Sequence, residues 1–134
     1  MVTMSGKYVG QLRTEDMHHK SGLTIITDAP PDNKGRGEAF SPTDLVCAAL
    51  SSCMMTLMGI LAQREEIDLS GMTSEITKIM ASNPRRISEI QIVFTLPNLK
   101  ATPEQRTRLE HAARTCPVAL SLSENIRQTV TFNF

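Results

Sequence analysis

Aromatic side chains are scarce in this chain: 134 residues carry one tyrosine, four phenylalanines and no tryptophan. Net charge is missing as well, with 14 basic residues against 14 acidic ones. Together these absences exclude a base-stacking platform and a field able to recruit nucleic acid or an anionic membrane. The opening residues Met1 to Gly10 lack the basic start and apolar run of a secretory signal, which predicts a cytoplasmic protein. Cysteines number three, an odd count, so no disulfide framework is expected and the thiols stay reduced unless a catalytic cycle oxidises them. There is no CxxC or HxxxH pair, and the adjacent His18 and His19 would face opposite ways on a strand. No metal or other cofactor is therefore expected. Long apolar runs are absent with one exception, Leu45 to Ala62, and Ser51, Ser52, Thr56 and Gly59 dilute that run. It reads as a helix buried on nearly all sides rather than as a membrane span.

The hydrophobic content that remains, 40%, suffices for one core, and residues 1–134 read as a single domain. Lys7 to Arg13 and Leu23 to Thr27 are rich in β-branched and aliphatic residues and are joined across Ser21-Gly22, predicting a hairpin. Asp28 to Phe40 is dense in proline, glycine and polar residues and predicts an exposed loop. A helix starts after it, with Ser41 as N-cap, Pro42 at the first helical position and Asp44 in the first turn, and runs to about Glu65 or Glu66. A weak strand follows near Met72 to Met80. A stronger one has Ile90, Ile92, Phe94 and Leu96 on one face. Thr102-Pro103-Glu104-Gln105 opens a second helix with a capping box, and Val130, Phe132 and Phe134 alternate in a final strand. The order ββαββαβ argues for an α+β domain.

The informative residues are two cysteines. On the first helix Val46, Ala49, Leu50, Cys53, Leu57 and Ile60 share a stripe, whereas Cys47 lies about 120° away and is assigned to packing. On the second helix Leu109, Ala112, Ala113 and Cys116 recur at helical spacing, and Pro117 follows Cys116 directly. Two thiols that a fold brings together can reduce a peroxide, one attacking and the other resolving. The competing reading is two small hydrophobes packed in a core. A reactive thiolate needs a cation nearby, for which Arg13 and Arg36 are the candidates. Helix dipoles do not decide which cysteine attacks, because Cys53 is mid-helix and Cys116 lies between one helix and the start of another.

Ser41-Pro-Thr-Asp-Leu45, Ala48-Ala-Leu-Ser-Ser-Cys53 and Thr115-Cys116-Pro117-Val118 together resemble the family of osmotically induced protein C and organic hydroperoxide resistance proteins (OsmC/Ohr). The resemblance covers nearly the whole chain. It implies an intertwined homodimer with central helices packed between sheets and sites at the interface. It also implies that Cys53 is the peroxidatic and Cys116 the resolving cysteine, that Arg13 holds the reactive thiolate, and that a carboxylate at the start of the central helix assists. Many members carry Glu where this chain has Thr43, and the nearest acid is Asp44. On a regular helix Asp44 would lie roughly 13 Å along the axis from Cys53 and about 180° around it. It would therefore act through Arg13 or from a second subunit, which predicts an obligate dimer. The function so implied is reduction of organic hydroperoxides by a thiol pair recharged by an external dithiol, with Leu50, Met54 and Leu57 as an apolar wall for the substrate. The alternative is a dimeric binding or scaffold protein, or a redox sensor, with little turnover.

Overall fold

The computed structural model describes every residue from Met1 to Phe134 and divides into two compact units, Met1–Val46 and Cys47–Phe134. In the first unit the chain forms a meander of three antiparallel strands, β1 (Met4–Gly10), β2 (Arg13–His18) and β3 (Thr24–Asp28). The sequence pattern led to one strand over Lys7–Arg13, and the structure instead reverses the chain inside that span. Gln11 and Leu12 both adopt left-handed backbone (φ 54° and 61°) between the paired residues Gly10 and Arg13. Two residues of positive φ make the tight turn whose twist suits a hairpin, and the Leu12 N–H donates to the Tyr8 hydroxyl at 3.3 Å. Aliphatic Leu12 is a poor signal for such a turn, and β2, with its polar Arg-Thr-Glu-Asp-Met-His sequence, carries no hydrophobic alternation to reveal it.

Beyond β3 the loop folds back through a single 3₁₀ turn at Pro31–Asn33. Here Gly35 is required, since a Cβ at that position would sit 1.8 Å from the Ala29 carbonyl oxygen. Helix α1 (Pro42–Glu65) then starts as its sequence dictates. The Ser41 hydroxyl accepts the Asp44 N–H at 3.1 Å while the Asp44 carboxylate accepts the Ser41 N–H at 3.0 Å, a reciprocal cap.

The second unit holds a sheet in the order β4 (Thr73–Ala81), β5 (Arg86–Thr95), β6 (Arg127–Asn133), antiparallel between the first pair and parallel between the second. A parallel partner needs a long return path. Helices α2 (Pro103–Arg114) and α3 (Pro117–Ser121) supply it. The capping box at Thr102 and Gln105 forms in full, and Ile90, Ile92, Phe94 and Leu96 are buried. The α+β class agrees with the sequence reading, while the element order is βββαββααβ, with an added strand in the first sheet and an added short helix before β6.

Helix α1 departs from the sequence reading in the face it buries. Cys47, Leu50, Ser51, Met54, Met58, Leu61 and Ala62 lie inward, whereas Ala49 and Ile60 are exposed and Cys53 and Leu57 sit at the edge. A helix that is apolar all round has no preferred face of its own, so packing in this unit chooses one. Buried Ser51 marks the choice, since its hydroxyl donates to the Ser74 hydroxyl of β4 at 3.0 Å. By length and composition α1 could cross a bilayer, yet a third of the way along it carries this bonded polar anchor on its inward face.

Candidate functional site

Cys116 occupies the junction between α2 and α3. Thr115 ends α2, and Cys116 takes extended backbone (φ −68°, ψ 154°), as the residue before a proline is biased to do. Pro117 then starts α3 without needing a hydrogen-bond acceptor for a missing N–H. The Cys116 sulfur is the N-cap of α3, accepting the Ala119 N–H at 3.4 Å, and the residue is fully buried. The thiol of Cys53 is its neighbour. Burial pushes the Cys116 thiol above its ordinary value and the neighbouring Cys53 adds to this, while the Ala119 and Val118 N–H groups act in the opposite sense. All three cysteines are free thiols. Cys53 is partly exposed and Cys47 is buried in the core.

Arg13 and Asp44 belong to the first unit. Arg13 stands directly opposite Asp28 in the β2–β3 register and grips it with two bonds, Nε to Oδ1 at 2.7 Å and Nη2 to Oδ2 at 2.8 Å. Glu38 lies 4.0 Å away and donates its N–H to Asp28 at 3.1 Å. The fork-shaped contact holds the Asp28 carboxyl below its usual range and raises the guanidinium. Asp28 is fully buried, and sequence reasoning missed it. Its only sequence signal is its position at a strand end, readable once β2 is known. Arg36 donates to the Gln11 side chain at 2.5 Å. The Asp44 carboxylate is engaged in the α1 cap. His18 and His19 bond Ser21 and Ser5.

Of the three residues expected to form an apolar wall, Leu50 and Met54 are sealed in the core, because α1 turns that face inward. Leu57 does reach open space. With Ile60, Leu61 and Ala112 it lines a cleft of about 370 Å³ between α1 and α2, whose polar groups are Arg64, Arg108 and His111. At the end of this cleft Glu65 of α1 holds Arg108 of α2, the Nε donating at 3.0 Å, a clamp that the sequence did not announce.

The sequence matches the OsmC-like protein family over residues 35–131, a span that includes both Cys53 and Cys116. The chain belongs to the OsmC-like family. Its fold is that of a crystal structure from Psychrobacter arcticus 273-4, described there as an osmotic stress induced and detoxification response protein, at 47% identity and a TM-score of 0.94 over 99% of this chain and 96% of that one. Two more distant structures share the fold. One is an organic hydroperoxide resistance protein OsmC from Legionella pneumophila, 19% identical, TM-score 0.74, covering 100% of this chain and 98% of that one. The other is an organic hydroperoxide resistance protein from Elizabethkingia anophelis, 16% identical, TM-score 0.71, covering 99% and 96%. No curated protein matches the sequence.

Proposed function

We propose that this OsmC-like protein is a thiol-dependent hydroperoxide reductase serving the response to oxidants. The observation that carries the reading is a pair of neighbouring thiols, Cys53 partly exposed and Cys116 buried. The accessible thiolate attacks the outer peroxide oxygen and breaks the O–O bond, releasing an alcohol and leaving a sulfenic acid on Cys53. Cys116 then displaces water from that sulfur, giving a disulfide. An external dithiol restores both thiols. The second step brings the two neighbouring sulfurs to an S–S bond of about 2.05 Å. Arg13 is assigned to holding the thiolate, positioned by its carboxylate partner Asp28, and Asp44 to fixing the start of the helix that carries Cys53. The names of the hydroperoxide resistance proteins that share the fold support an organic peroxide as substrate.

The functional form is taken to be a homodimer of a single domain spanning 1–134, in the cytoplasm, with no metal, cofactor or nucleic acid. The apolar residues left uncovered in each unit support the dimer, Ile25 and Ile26 in one and Ile60 in the other, the last 54% exposed. The test is peroxide consumption in the presence of a dithiol. Wild type should turn over, and Cys53→Ser should fall to the uncatalysed background; equal rates would remove the proposal.

A second reading, a binding protein or redox sensor with little turnover, draws on the Arg13 guanidinium being already engaged by Asp28. Thiol titration after one equivalent of peroxide separates the two. A binding protein keeps three thiols, whereas the enzyme and the sensor each keep one, and only the enzyme then cycles with dithiol.

A further inference from the structure

The two sulfurs of the thiol pair differ in a way that the peroxide half of the cycle does not use. Cys116 has no solvent-accessible surface, and its sulfur is held at the start of α3 by the Ala119 N–H. Cys53 is partly open, on the α1 stripe that continues through Leu57 and Ile60 into the cleft. A thiolate displaces a disulfide sulfur by approaching along the S–S axis from the side opposite the leaving sulfur, so access selects which sulfur is attacked. To strike Cys116 a reductant would have to reach a sulfur with no accessible surface, set between the buried Ala113 and Ala119. To strike Cys53 it need only follow the path that the peroxide has already taken to that sulfur.

We infer that the external thiol attacks Cys53 and expels Cys116, so that Cys53 is the residue carrying the mixed disulfide. This rests on the Cys53–Cys116 cycle proposed above. In the first step the reductant thiolate forms a bond to the Cys53 sulfur, the Cys53–Cys116 bond breaks, and the electron pair leaves on the Cys116 sulfur. The Ala119 N–H already points at that sulfur and stabilises the departing charge until a proton from water neutralises it. In the second step the other thiol of the reductant attacks its own sulfur in the mixed disulfide. A cyclic disulfide leaves, and Cys53 is returned as thiolate. Two electrons pass from dithiol to protein, and every sulfur is accounted for. The same sulfur thus receives oxygen from the peroxide and the thiol from the reductant, while Cys116 never meets either.

The experiment uses the wild-type protein and a monothiol, 2-mercaptoethanol, which has no second thiol to release itself from the mixed disulfide and resolves it only through a slower encounter with a second molecule. The disulfide form is prepared in two ways, with one equivalent of peroxide and separately with diamide, and its formation is verified by loss of two thiols. Brief exposure to the monothiol, acid quenching and capping of free thiols with N-ethylmaleimide precede peptide mass analysis. The expected result is the mercaptoethanol adduct on Cys53 and maleimide on Cys116, with at least tenfold preference over the reverse. Adduct on Cys116, or equal labelling, overturns the inference. Failure of peroxide to remove two thiols, with diamide succeeding, counts against the reductase reading alone and leaves the site of attack to be read from the diamide sample.

Discussion

At the scale of single residues, the pairing of Arg13 with Asp28 joins stability to pH. Asp28 is fully buried and its carboxyl is held down first by the Arg13 hydrogen bonds, then by the Glu38 N–H, against the opposing effect of burial. A depressed carboxyl pKa contributes stability that is complete above the ordinary carboxyl range, near pH 4, and drains away as pH falls through the lowered folded value. Asp28→Asn should therefore lower the urea midpoint at pH 7, with the gap between variant and wild type narrowing steadily toward pH 3. A gap that stays constant over that interval would mean that the charge of Asp28 is not what the fold uses. On the proposed reductase reading, the same substitution tests Arg13 as a positioned group, because a freed guanidinium should change the pH profile of peroxide turnover as well as its rate. Sequence reasoning singled out Arg13 by its place in the first hairpin, but gave it to Asp44. Asp28 became visible only with the register of β2 against β3, which sets the two side chains face to face.

At the scale of elements, caps and clamps decide where the thiols go. Thr102 and Gln105 close the start of α2 with reciprocal bonds, and Thr102→Ala should cost about 1 kcal/mol in denaturant unfolding. Glu65 at the end of α1 binds Arg108 of α2, and Gln105 also reaches it at 3.5 Å. This clamp ties α1, which carries Cys53, to α2, after which Cys116 follows. On the proposed cycle, Glu65→Gln should slow disulfide formation after a peroxide pulse several-fold while leaving the first oxidation of Cys53 unchanged, as followed by stopped-flow and thiol trapping. Equal slowing of both steps would point to general loosening instead. The capping motifs were legible because they are local: Ser41, Thr102 and their partners are three residues apart and need no tertiary contact to meet. The clamp was not legible, since Glu65 and Arg108 are ordinary charged residues on two exposed helix edges until the helices pack.

At the scale of the whole molecule, the proposed homodimer has uncovered apolar residues to draw on. Ile60 sits on the outward face of α1 beside Leu57, and β3 presents Ile25 and Ile26. If a second copy covers the α1 face, light scattering should give twice the chain mass for wild type and the single-chain mass for Ile60→Glu, with helical circular dichroism retained. A wild-type monomer at micromolar concentration would refute the dimer.

The sequence by itself determined the α+β class, both helix starts, the buried face of β5 and the two cysteine contexts, because each is written in short-range spacing that survives any arrangement of the elements. Tertiary structure alone decided which side of α1 faces inward, where the first sheet turns, which carboxylate holds Arg13 and which of the two sulfurs is open to solvent. Those choices depend on long-range contacts: an all-apolar helix has no intrinsic orientation, and a strand without alternation announces neither its limits nor its partners.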